Sequence, residues 1–382
     1  MSKPDPSSPN PTGDSLAERF VALQEFIPAA RERLSNHAWG YLSGATETET
    51  TQLRNRQALD SLAIRPRVLN DVSQVTTATR LFDRPARLPV LLCPIGGLES
   101  FDALGAKAVA SAAASFGVPM MLSSVSQWSM NDLIEHCAPS EQTLSLIYQL
   151  YVREAPEGID AVMEQAKALK LPAFCFTVDS SVYSRRERDI VARYVKPWRA
   201  TGEGDAKTYQ ASFSWDDLAR IRSRHDIPLI LKGIATAEDA ERAVEHGVDW
   251  IYVSNHGGRQ LDHGQGSMAV LPEVTKAVRG RARILVDGGF CRGTDLVKAL
   301  ALGAEGVGLG RMMCVALAAA GAPGIERMLE LLETEYEIAL ALAGVTSAAE
   351  LNAAFIAAEQ VPVSPVSAFS AFPLLSDQDL SA

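Results

Sequence analysis

The sequence predicts an α/β protein folded as a (β/α)8 TIM barrel with an N-terminal helical extension. Eight short apolar segments rich in Val, Ile and Leu alternate with segments of helical periodicity. Glycine and polar residues follow the ends of these apolar segments, as they do at the carboxyl face of a barrel. The 382 residues suffice for one such barrel. A closed barrel is favoured over an open doubly wound sheet, because an open sheet leaves strand edges exposed.

The boundaries of the elements follow from these patterns. The predicted strands lie at 89–93, 118–122, 144–152, 173–178, 228–231, 250–253, 284–286 and 306–309. The predicted helices lie at 103–114, 130–136, 159–169, 215–222, 237–246, 271–278 and 294–302. Leu16, Phe20, Leu23 and Phe26 recur at helical spacing before the first strand. We therefore divide the chain into a disordered lead-in at 1–14, a helical cap at 15–85, the barrel at 86–360 and a tail at 361–382.

Composition and charge exclude several classes of protein. The net charge of −10 leaves no basic excess for a nucleic-acid partner. The five cysteines are scattered without a CxxC pair, which predicts a reducing compartment and no metal site. Residues 1–14 are rich in Pro and Ser and have no apolar centre, unlike a signal peptide. No segment reaches the ~20 apolar residues of a membrane span. We expect a cytoplasmic protein without a membrane anchor.

Polar residues collect where the predicted strands end. They are Pro94, Ile95, Gly96 and Gly97, then Ser123 and Ser124, Gln149 and Tyr151, Thr177 and Asp179, Lys232 and Gly233, the segment 254–259, Asp287, Gly288 and Gly289, and Gly310 and Arg311. This is the face on which barrel enzymes build their active sites. The glycine-rich turns after the last two strands lie beside a cation and predict a phosphate site. No GxGxxG or Walker loop is placed to form a Rossmann site or a P-loop.

The sixth strand is followed by Ser-Asn-His-Gly-Gly-Arg-Gln-Leu-Asp at 254–262. This stretch supplies a titratable imidazole, a fixed cation and backbone that a ligand can approach closely. A solvated polar turn is the alternative for the stretch taken alone. The polar residues at the ends of the other predicted strands favour a functional site over such a turn.

With these segments in order, the chain resembles the FMN-dependent L-2-hydroxy acid oxidase and dehydrogenase family from about residue 33 to 355. The stretch at 254–262 matches the family signature. Other matches are Tyr-Gln-Leu-Tyr-Val at 148–152, Thr-Val-Asp at 177–179, Arg-Arg-Glu-Arg-Asp at 185–189, Lys-Gly at 232–233, Asp-Gly-Gly at 287–289, Arg-Gly-Thr-Asp at 292–295 and Gly-Arg at 310–311. The resemblance implies FMN as cofactor and a barrel that binds it.

The resemblance also implies catalytic and substrate-binding roles. His256 would be the base, and Asp179 would stabilise the imidazolium that forms. Arg186 and Arg259 would bind the substrate carboxylate, a task that suits a guanidinium fork. Tyr151 and Tyr41 would hydrogen-bond the substrate hydroxyl or carboxylate. Whether the proton leaves the hydroxyl, with hydride transfer to flavin, or leaves the α-carbon stays open.

Cofactor contacts are implied in the same way. Lys232 would lie at the N1–O2 edge of the flavin, where a cation favours the reduced anion. Residues that would hold the ring are Ile95, Gly96, Ser123, Gln149, Thr177 and Ser254. Residues that would hold the ribityl chain and phosphate are Asp287, Gly288, Gly289, Arg292, Gly310 and Arg311.

Three departures from the family pattern affect these expectations. Relatives carry two arginines after the Asp-Gly-Gly turn, whereas this chain has Cys291 and Arg292. FMN should still bind, because an exposed ion pair contributes only ~1 kcal/mol. Gly96 leaves room above the flavin and favours a bulkier or aromatic acid, in a pocket for which Trp39, Val125, Tyr183 and Trp198 are candidates. The short segment between Arg186 and Lys232 indicates a protein without the membrane insert.

The predicted activity is oxidation of an L-2-hydroxy acid to the 2-oxo acid, with oxygen or another acceptor taking the electrons. A dehydrogenase using a quinone or carrier protein is an alternative of the same chemistry. An FMN-dependent isomerase is a weaker one, because it would not need Arg186 and Arg259 together with His256. The resemblance further implies a homo-oligomer, a tetramer in the family.

Overall fold

A computed structural model describes residues 15–140, 143–153, 155–194, 210–358 and 367–375. Its N-terminal part begins with four helices: α1 (Leu16–Arg19), α2 (Phe26–Arg33), α3 (Asn36–Ser43) and α4 (Thr50–Asp60). The rest of the region predicted as a cap contains three short strands: β1 (Leu62–Ile64), β2 (Thr79–Leu81) and β3 (Arg84–Ala86). Strands of three residues are too short to show an alternating pattern in sequence.

The hairpin of β2 and β3 closes the amino end of the barrel. Its Leu81 and Phe82 belong to a cluster of buried side chains inside the barrel. The ring of Phe82 lies 4.5 Å from that of Trp250. The hairpin therefore plugs the end of the barrel opposite the cavity described below, and contacts within this end stabilise the fold without meeting a ligand.

Eight parallel strands form a closed barrel, in the order in which they occur in the chain. They are β4 (Val90–Leu92), β5 (Met120–Ser123), β6 (Leu146–Leu150), β7 (Phe174–Thr177), β8 (Leu229–Ile234), β9 (Trp250–Val253), β10 (Arg283–Val286) and β11 (Gly306–Leu309). Strand β11 pairs with β4 and closes the ring. Each strand overlaps a predicted one, so the barrel prediction is confirmed.

Helices surround the barrel: α5 (Ala106–Phe116), α6 (Met130–Cys137), α7 (Pro156–Ala168), α8 (Glu187–Val191), α9 (Trp215–Arg224), α10 (Ala237–Glu245), α11 (Ser267–Val278), α12 (Gly293–Ala301) and α13 (Arg311–Ala343). Several begin at hydroxyl caps. The Ser129 and Ser214 side chains each accept a hydrogen bond from a backbone N–H of the first turn, in full capping boxes. Strand β12 (Ile356–Ala358) pairs antiparallel with β1 and joins the end of the barrel region to the cap.

Helix α13 is long and apolar enough to span a membrane by length and composition alone. Two-thirds of its apolar window is buried inside the protein, against α2, α5 and α12. Its helical geometry is interrupted at Ala320 and Gly321. Both features are those of a core helix in a barrel.

Candidate active site

A deep cavity opens at the carboxyl ends of the barrel strands. Its empty volume is about 1620 Å³ with the open mouth included. The predicted residues that line it are Tyr41, Ile95, Gly96, Tyr151, Arg186, Lys232, His256, Arg259, Asp287, Gly288, Gly289, Gly310 and Arg311.

An imidazole, a carboxylate and a phenol are joined at the centre of this cavity. His256 Nδ1 lies 3.0 Å from Asp179 Oδ1. Since a carboxylate only accepts, Nδ1 carries the hydrogen, and Nε2 is the nitrogen that accepts a hydrogen bond from the Tyr151 hydroxyl. Tyr151 Oη lies 3.2 Å from that Nε2. The imidazole therefore presents a proton-accepting nitrogen to the cavity, with its other nitrogen fixed by the carboxylate.

Burial and neighbouring charge set the protonation states of the three groups. Burial lowers the pKa of His256 below its ordinary value, although Asp179 opposes this. Burial alone would raise the pKa of Asp179, but His256 and Lys232 bring it below its ordinary value. Burial raises the pKa of Tyr151 to about 12. At neutral pH the cavity thus holds a neutral imidazole, a carboxylate and an un-ionised phenol.

The turn after β9 owes its shape to left-handed backbone. His256 has φ of 58°, a value uncommon for a side chain with a Cβ, and Gly257 and Gly258 have φ of 63° and 79°. A Cβ on Gly258 would lie 2.6 Å from the backbone N of Gln52, and one on Gly257 would lie 2.9 Å from Arg311 Nη1. The two glycines therefore let α4 and Arg311 approach the back of the turn.

Three arginines lie at the cavity without a carboxylate partner. Among the described residues, no carboxylate oxygen is within ion-pair distance of Arg186, Arg259 or Arg311. Burial, with repulsion from Arg186, lowers the pKa of Arg259 to about 10. Burial, with repulsion from Arg259, lowers the pKa of Arg311 to about 9. Buried cations that repel each other form a site for anions. A bound anion would offset both the burial of the positive charge and the repulsion between the guanidinium groups.

Backbone carbonyl groups aim two of these guanidinium groups. Arg259 Nη1 donates to the carbonyl oxygens of Tyr41 and Gly44, both at 2.7 Å. Arg311 donates to the carbonyl oxygens of Leu42 at 3.1 Å, Gly257 at 2.9 Å and Gly44 at 2.8 Å. The carboxyl end of α3, from Tyr41 to Gly44, therefore sets the positions of both cations, and the cap belongs to the site.

Tyr41 is held over the mouth of the barrel by aromatic and cationic neighbours. Its hydroxyl donates to the carbonyl oxygen of Gly96 at 3.0 Å. Its ring lies 5.9 Å from that of Phe101, and the Arg259 guanidinium carbon is 4.8 Å from its centre. Tyr194 packs on it at 5.5 Å. The hydroxyl is thus within the cavity and near the carboxylate-binding arginine.

A buried lysine lies deeper in the cavity. Lys232 Nζ donates to Ser254 Oγ at 3.0 Å and lies 3.6 Å from Asp287 Oδ2. Ser254 Oγ donates to Asp287 Oδ1 at 2.6 Å. Burial opposes the charge, yet Asp287 and Asp179 raise the pKa of Lys232 above its ordinary value. The ammonium is therefore a fixed positive charge at the floor of the cavity.

Unpaired polar atoms test whether a flavin fits. Both amide atoms of Gln149 and the hydroxyl of Thr177 are buried without a hydrogen-bond partner among the described residues. They stand at the carboxyl ends of β6 and β7, and Ser123 is buried at the end of β5. Buried polar groups require partners. A ring edged with carbonyl oxygens and N–H groups supplies them, so the residues present fit the isoalloxazine of FMN.

Arg292 lies outside the cavity, in contrast to the expected phosphate contact. Its guanidinium makes two contacts with Glu335, at 2.8 and 3.0 Å, and lies 5.4 Å from the ring of Phe372. The next residue, Gly293, is so close to α13 that a Cβ there would meet the backbone of Glu335 at 2.3 Å. This contact directs Arg292 onto α13. Cys291 lines the cavity instead.

Sequence reasoning missed the contribution of α4. Gln52, Asn55 and Arg56 line the cavity, and Arg56 is paired with Asp295 at 2.8 Å while donating to the carbonyl oxygen of Gly289 at 3.0 Å. The available signal was a run of polar side chains on one face of a helix that must pack against the barrel. Asp262, at the end of the signature, accepts hydrogen bonds from Thr48 and Thr51 around the start of α4.

The four candidate pocket residues have different positions. Val125 and Tyr183 line the cavity. Trp39 does not, and this expectation is corrected: its indole is buried on the ring of Phe369 at 5.8 Å. Trp198 lies outside the described residues.

Fold and site together define a barrel oxidoreductase with a flavin-phosphate cavity and a His–Asp pair beside carboxylate-binding arginines. A model of the family described as FMN-dependent dehydrogenase matches residues 30–358. An L-lactate oxidase of Nostoc sp. is 37% identical, over 88% of this chain and 98% of its own. A peroxisomal (S)-2-hydroxy-acid oxidase of Oryza sativa subsp. japonica is 37% identical, over 89% of this chain and 96% of its own.

Solved structures agree with this assignment. A crystal structure of a mandelate oxidase variant with 2-hydroxy-phenylacetamide has a TM-score of 0.80 at 35% identity, covering 90% of this chain and all of the other. The protein belongs to the FMN-dependent dehydrogenase family. It is an FMN-dependent oxidoreductase that acts on the CH–OH group of 2-hydroxy acids and forms 2-oxo acids.

Proposed function

We propose that the preferred substrate is an L-2-hydroxy acid with a sizeable apolar side chain, and that oxygen reoxidises the enzyme. The cavity wall carries the first part of the proposal, because its apolar members include Ile95, Phe101, Val125, Val182 and Tyr183. Gly96 adds space beside them. Glycolate has no side chain to fill such a wall, whereas an aryl or branched alkyl group gains ~0.8 kcal/mol for each buried methylene.

Each polar group of the acid then has a partner in this chain. Arg186 and Arg259 bind the carboxylate, which supplies the negative charge that they lack in the described structure. His256 Nε2 removes a proton from the substrate, and Asp179 stabilises the resulting imidazolium through Nδ1–H. The Tyr151 hydroxyl orients the substrate hydroxyl beside Nε2. FMN, held by Gln149, Thr177, Lys232 and the phosphate-side residues, supplies two-electron redox chemistry.

We propose oxygen as the electron acceptor because the similar proteins are named as oxidases. The Nostoc protein is an L-lactate oxidase, and the matched structures are mandelate oxidases. A quinone or carrier protein is the competing acceptor. The experiment that identifies the substrate also distinguishes oxygen from these acceptors.

Anaerobic mixing with a panel of acids tests the proposal. Flavin absorbance should bleach at least about tenfold more efficiently with (S)-mandelate or (S)-2-hydroxy-4-methylpentanoate than with glycolate, since each methylene in an apolar pocket discriminates by roughly 10–200-fold. Admitting air should restore the colour within seconds and yield peroxide. Faster bleaching by glycolate would reject the substrate class. Recolouring only with a quinone would reject oxygen.

The pH dependence of kcat/KM tests the role of His256. Protonation at Nε2 removes the base, so kcat/KM should fall as the pH drops through the pKa of His256. Burial lowers that pKa, so the acidic limb should lie below the ordinary histidine value of about 6.5. In Asp179→Asn the charge that raises the His256 pKa is gone, so the limb should move to still lower pH. The plateau should also fall, because the imidazolium loses its partner.

Initial rates at subsaturating substrate measure both profiles. An acidic limb at the same pH in the native enzyme and the Asn variant would show that another group titrates. Ser180→Ala is the matched control, because Ser180 donates to the same Asp179 oxygen at 3.3 Å without changing any charge.

We further propose a cytoplasmic, homo-oligomeric enzyme without a membrane anchor. All five cysteines are unpaired and buried, which suits a reducing compartment. Val68, Leu69, Ile338 and Leu342 are exposed apolar side chains at the carboxyl end of α13 and the segment beside it, and such surface favours self-association. The predicted short segment between Arg186 and Lys232 lies partly outside the described residues. Light scattering from holoenzyme purified without detergent measures the oligomeric state.

A further inference from the structure

Residues 367–375 lie beyond the family match, which ends at residue 358. They form a compact turn. Phe369 N donates to Ser367 Oγ at 3.0 Å, and Ser370 Oγ donates to the Ser367 carbonyl oxygen at 3.0 Å. Phe372 N donates to the carbonyl oxygen of Phe369 at 3.1 Å. The segment therefore has a defined shape of its own.

Two aromatic side chains fix this turn to the body of the protein. Phe369 is 2% exposed and its ring stacks on Trp39 of α3 at 5.8 Å. Phe372 is 1% exposed and lies under the Arg292 guanidinium at 5.4 Å. By contrast, Leu374 is 79% exposed. Burying two phenyl rings is a large favourable term for so short a segment.

The turn contributes a wall to the cofactor cavity. Ala368 lines the cavity, as do Gly289 and Cys291 from the loop that ends at Arg292. On its other side the turn packs against Trp39 of α3, and the last turn of that helix contains Leu42, a carbonyl partner of Arg311. The segment thus lies between the two elements that form the phosphate end, the Gly-Gly turn after β10 and the Arg311 contacts.

We propose that residues 367–375 act as a strap that closes the phosphate end of the FMN cavity and slows release of the cofactor. The proposal rests on FMN as cofactor and not on the substrate or acceptor proposed above. Its electrostatic reason is the shortage of cations at this end. Cys291 is a neutral thiol there, Arg292 is paired with Glu335, and Arg56 is paired with Asp295.

Of the arginines at this end, Arg311 is the one without a carboxylate partner among the described residues. A phosphate held mainly by one guanidinium and by backbone N–H groups would dissociate more readily than one with a second cation. Covering the exit slows dissociation without adding charge, and the docked fraction of the strap then sets the apparent affinity. The aromatic contacts of Phe369 and Phe372 set that fraction.

Removing the aromatic contacts tests the strap. Phe369→Ala and Phe372→Ala should each release FMN about tenfold faster or more, measured as recovery of free-flavin fluorescence on dilution, because undocking exposes the exit. Leu374→Ser is the matched control and should stay within about twofold of the native rate. Circular dichroism confirms that the barrel is folded in each variant. Native release rates in folded Phe369→Ala and Phe372→Ala would overturn the proposal.

A charge placed at Ala368 tests its location without disturbing the aromatic contacts. Ala368→Glu should weaken FMN binding at least about tenfold more than Ala368→Gln, since a carboxylate repels the phosphate, and salt should reduce the difference. Equal affinities in the two variants would overturn the proposal. A raised KM at saturating FMN, with unchanged FMN affinity, would place the segment at the substrate and also overturn it. Because FMN binding is measured without substrate, failure of the proposed substrate class leaves this test intact.

Discussion

Replacing His256 by alanine should lower kcat by about a thousandfold, since a positioned base contributes roughly 10²–10⁴-fold. In the structure the imidazole Nε2 faces the cavity and no other described neutral base is hydrogen-bonded to Tyr151 at that point. The variant should purify yellow with bound FMN, because the groups assigned to the ring and phosphate, apart from Ser254, follow other strands. Stopped-flow measurement of flavin reduction under anaerobic conditions gives the rate of substrate oxidation directly.

The control for this substitution is His246→Ala. His246 is half-buried against Trp215, away from the cavity, and its Nδ1 is hydrogen-bonded to the Arg242 carbonyl oxygen. It should reduce flavin at the native rate. If His256→Ala also reduced flavin within about tenfold of the native rate, the proton would have to leave to water or to Tyr151. The phenol is a poor alternative, since burial raises its pKa.

The fold was predictable because its signal is repeated. The barrel strands are almost entirely buried and so contain short apolar runs, and eight such runs in succession leave few other architectures. The β2–β3 hairpin gave no such signal, because its short strands, Thr-Arg-Leu and Arg-Pro-Ala, contain no apolar run. Its closing contact, Phe82 on Trp250, joins residues too far apart in sequence for any local pattern to reveal.

Within the site, residues at strand ends were predictable and residues placed by tertiary contact were not. Gln149 and Thr177 follow from strand position alone. Arg292 does not, because its direction depends on the contact of Gly293 with α13 and on Glu335, more than forty residues later. Trp39 is similar: its partner Phe369 lies in a segment for which the sequence predicted only a tail. Positions set by long-range packing need the structure.

Replacing Arg259 by methionine should raise KM and lower kcat/KM by about a hundredfold or more, because a charge-assisted hydrogen bond is worth roughly 1.5–3 kcal/mol and the fork makes two. Arg259→Lys should lose less, since it keeps the charge but not the planar fork. FMN content should be unchanged in both. Steady-state kinetics with the best acid of the panel provide the measurement, and an unchanged KM in the Met variant would remove Arg259 from the carboxylate site.

The free enzyme supplies a second and independent measurement on the same variant. Burial and repulsion from Arg186 lower the pKa of Arg259, so an anion beside this guanidinium should stabilise the folded protein. Binding of the 2-oxo acid should therefore raise the Tm of the native enzyme, by the mass action of a ligand that binds only the folded state. In Arg259→Met that increment should be largely lost. An equal increment in both proteins would mean that Arg186 alone holds the carboxylate, and Arg186→Met should then abolish it.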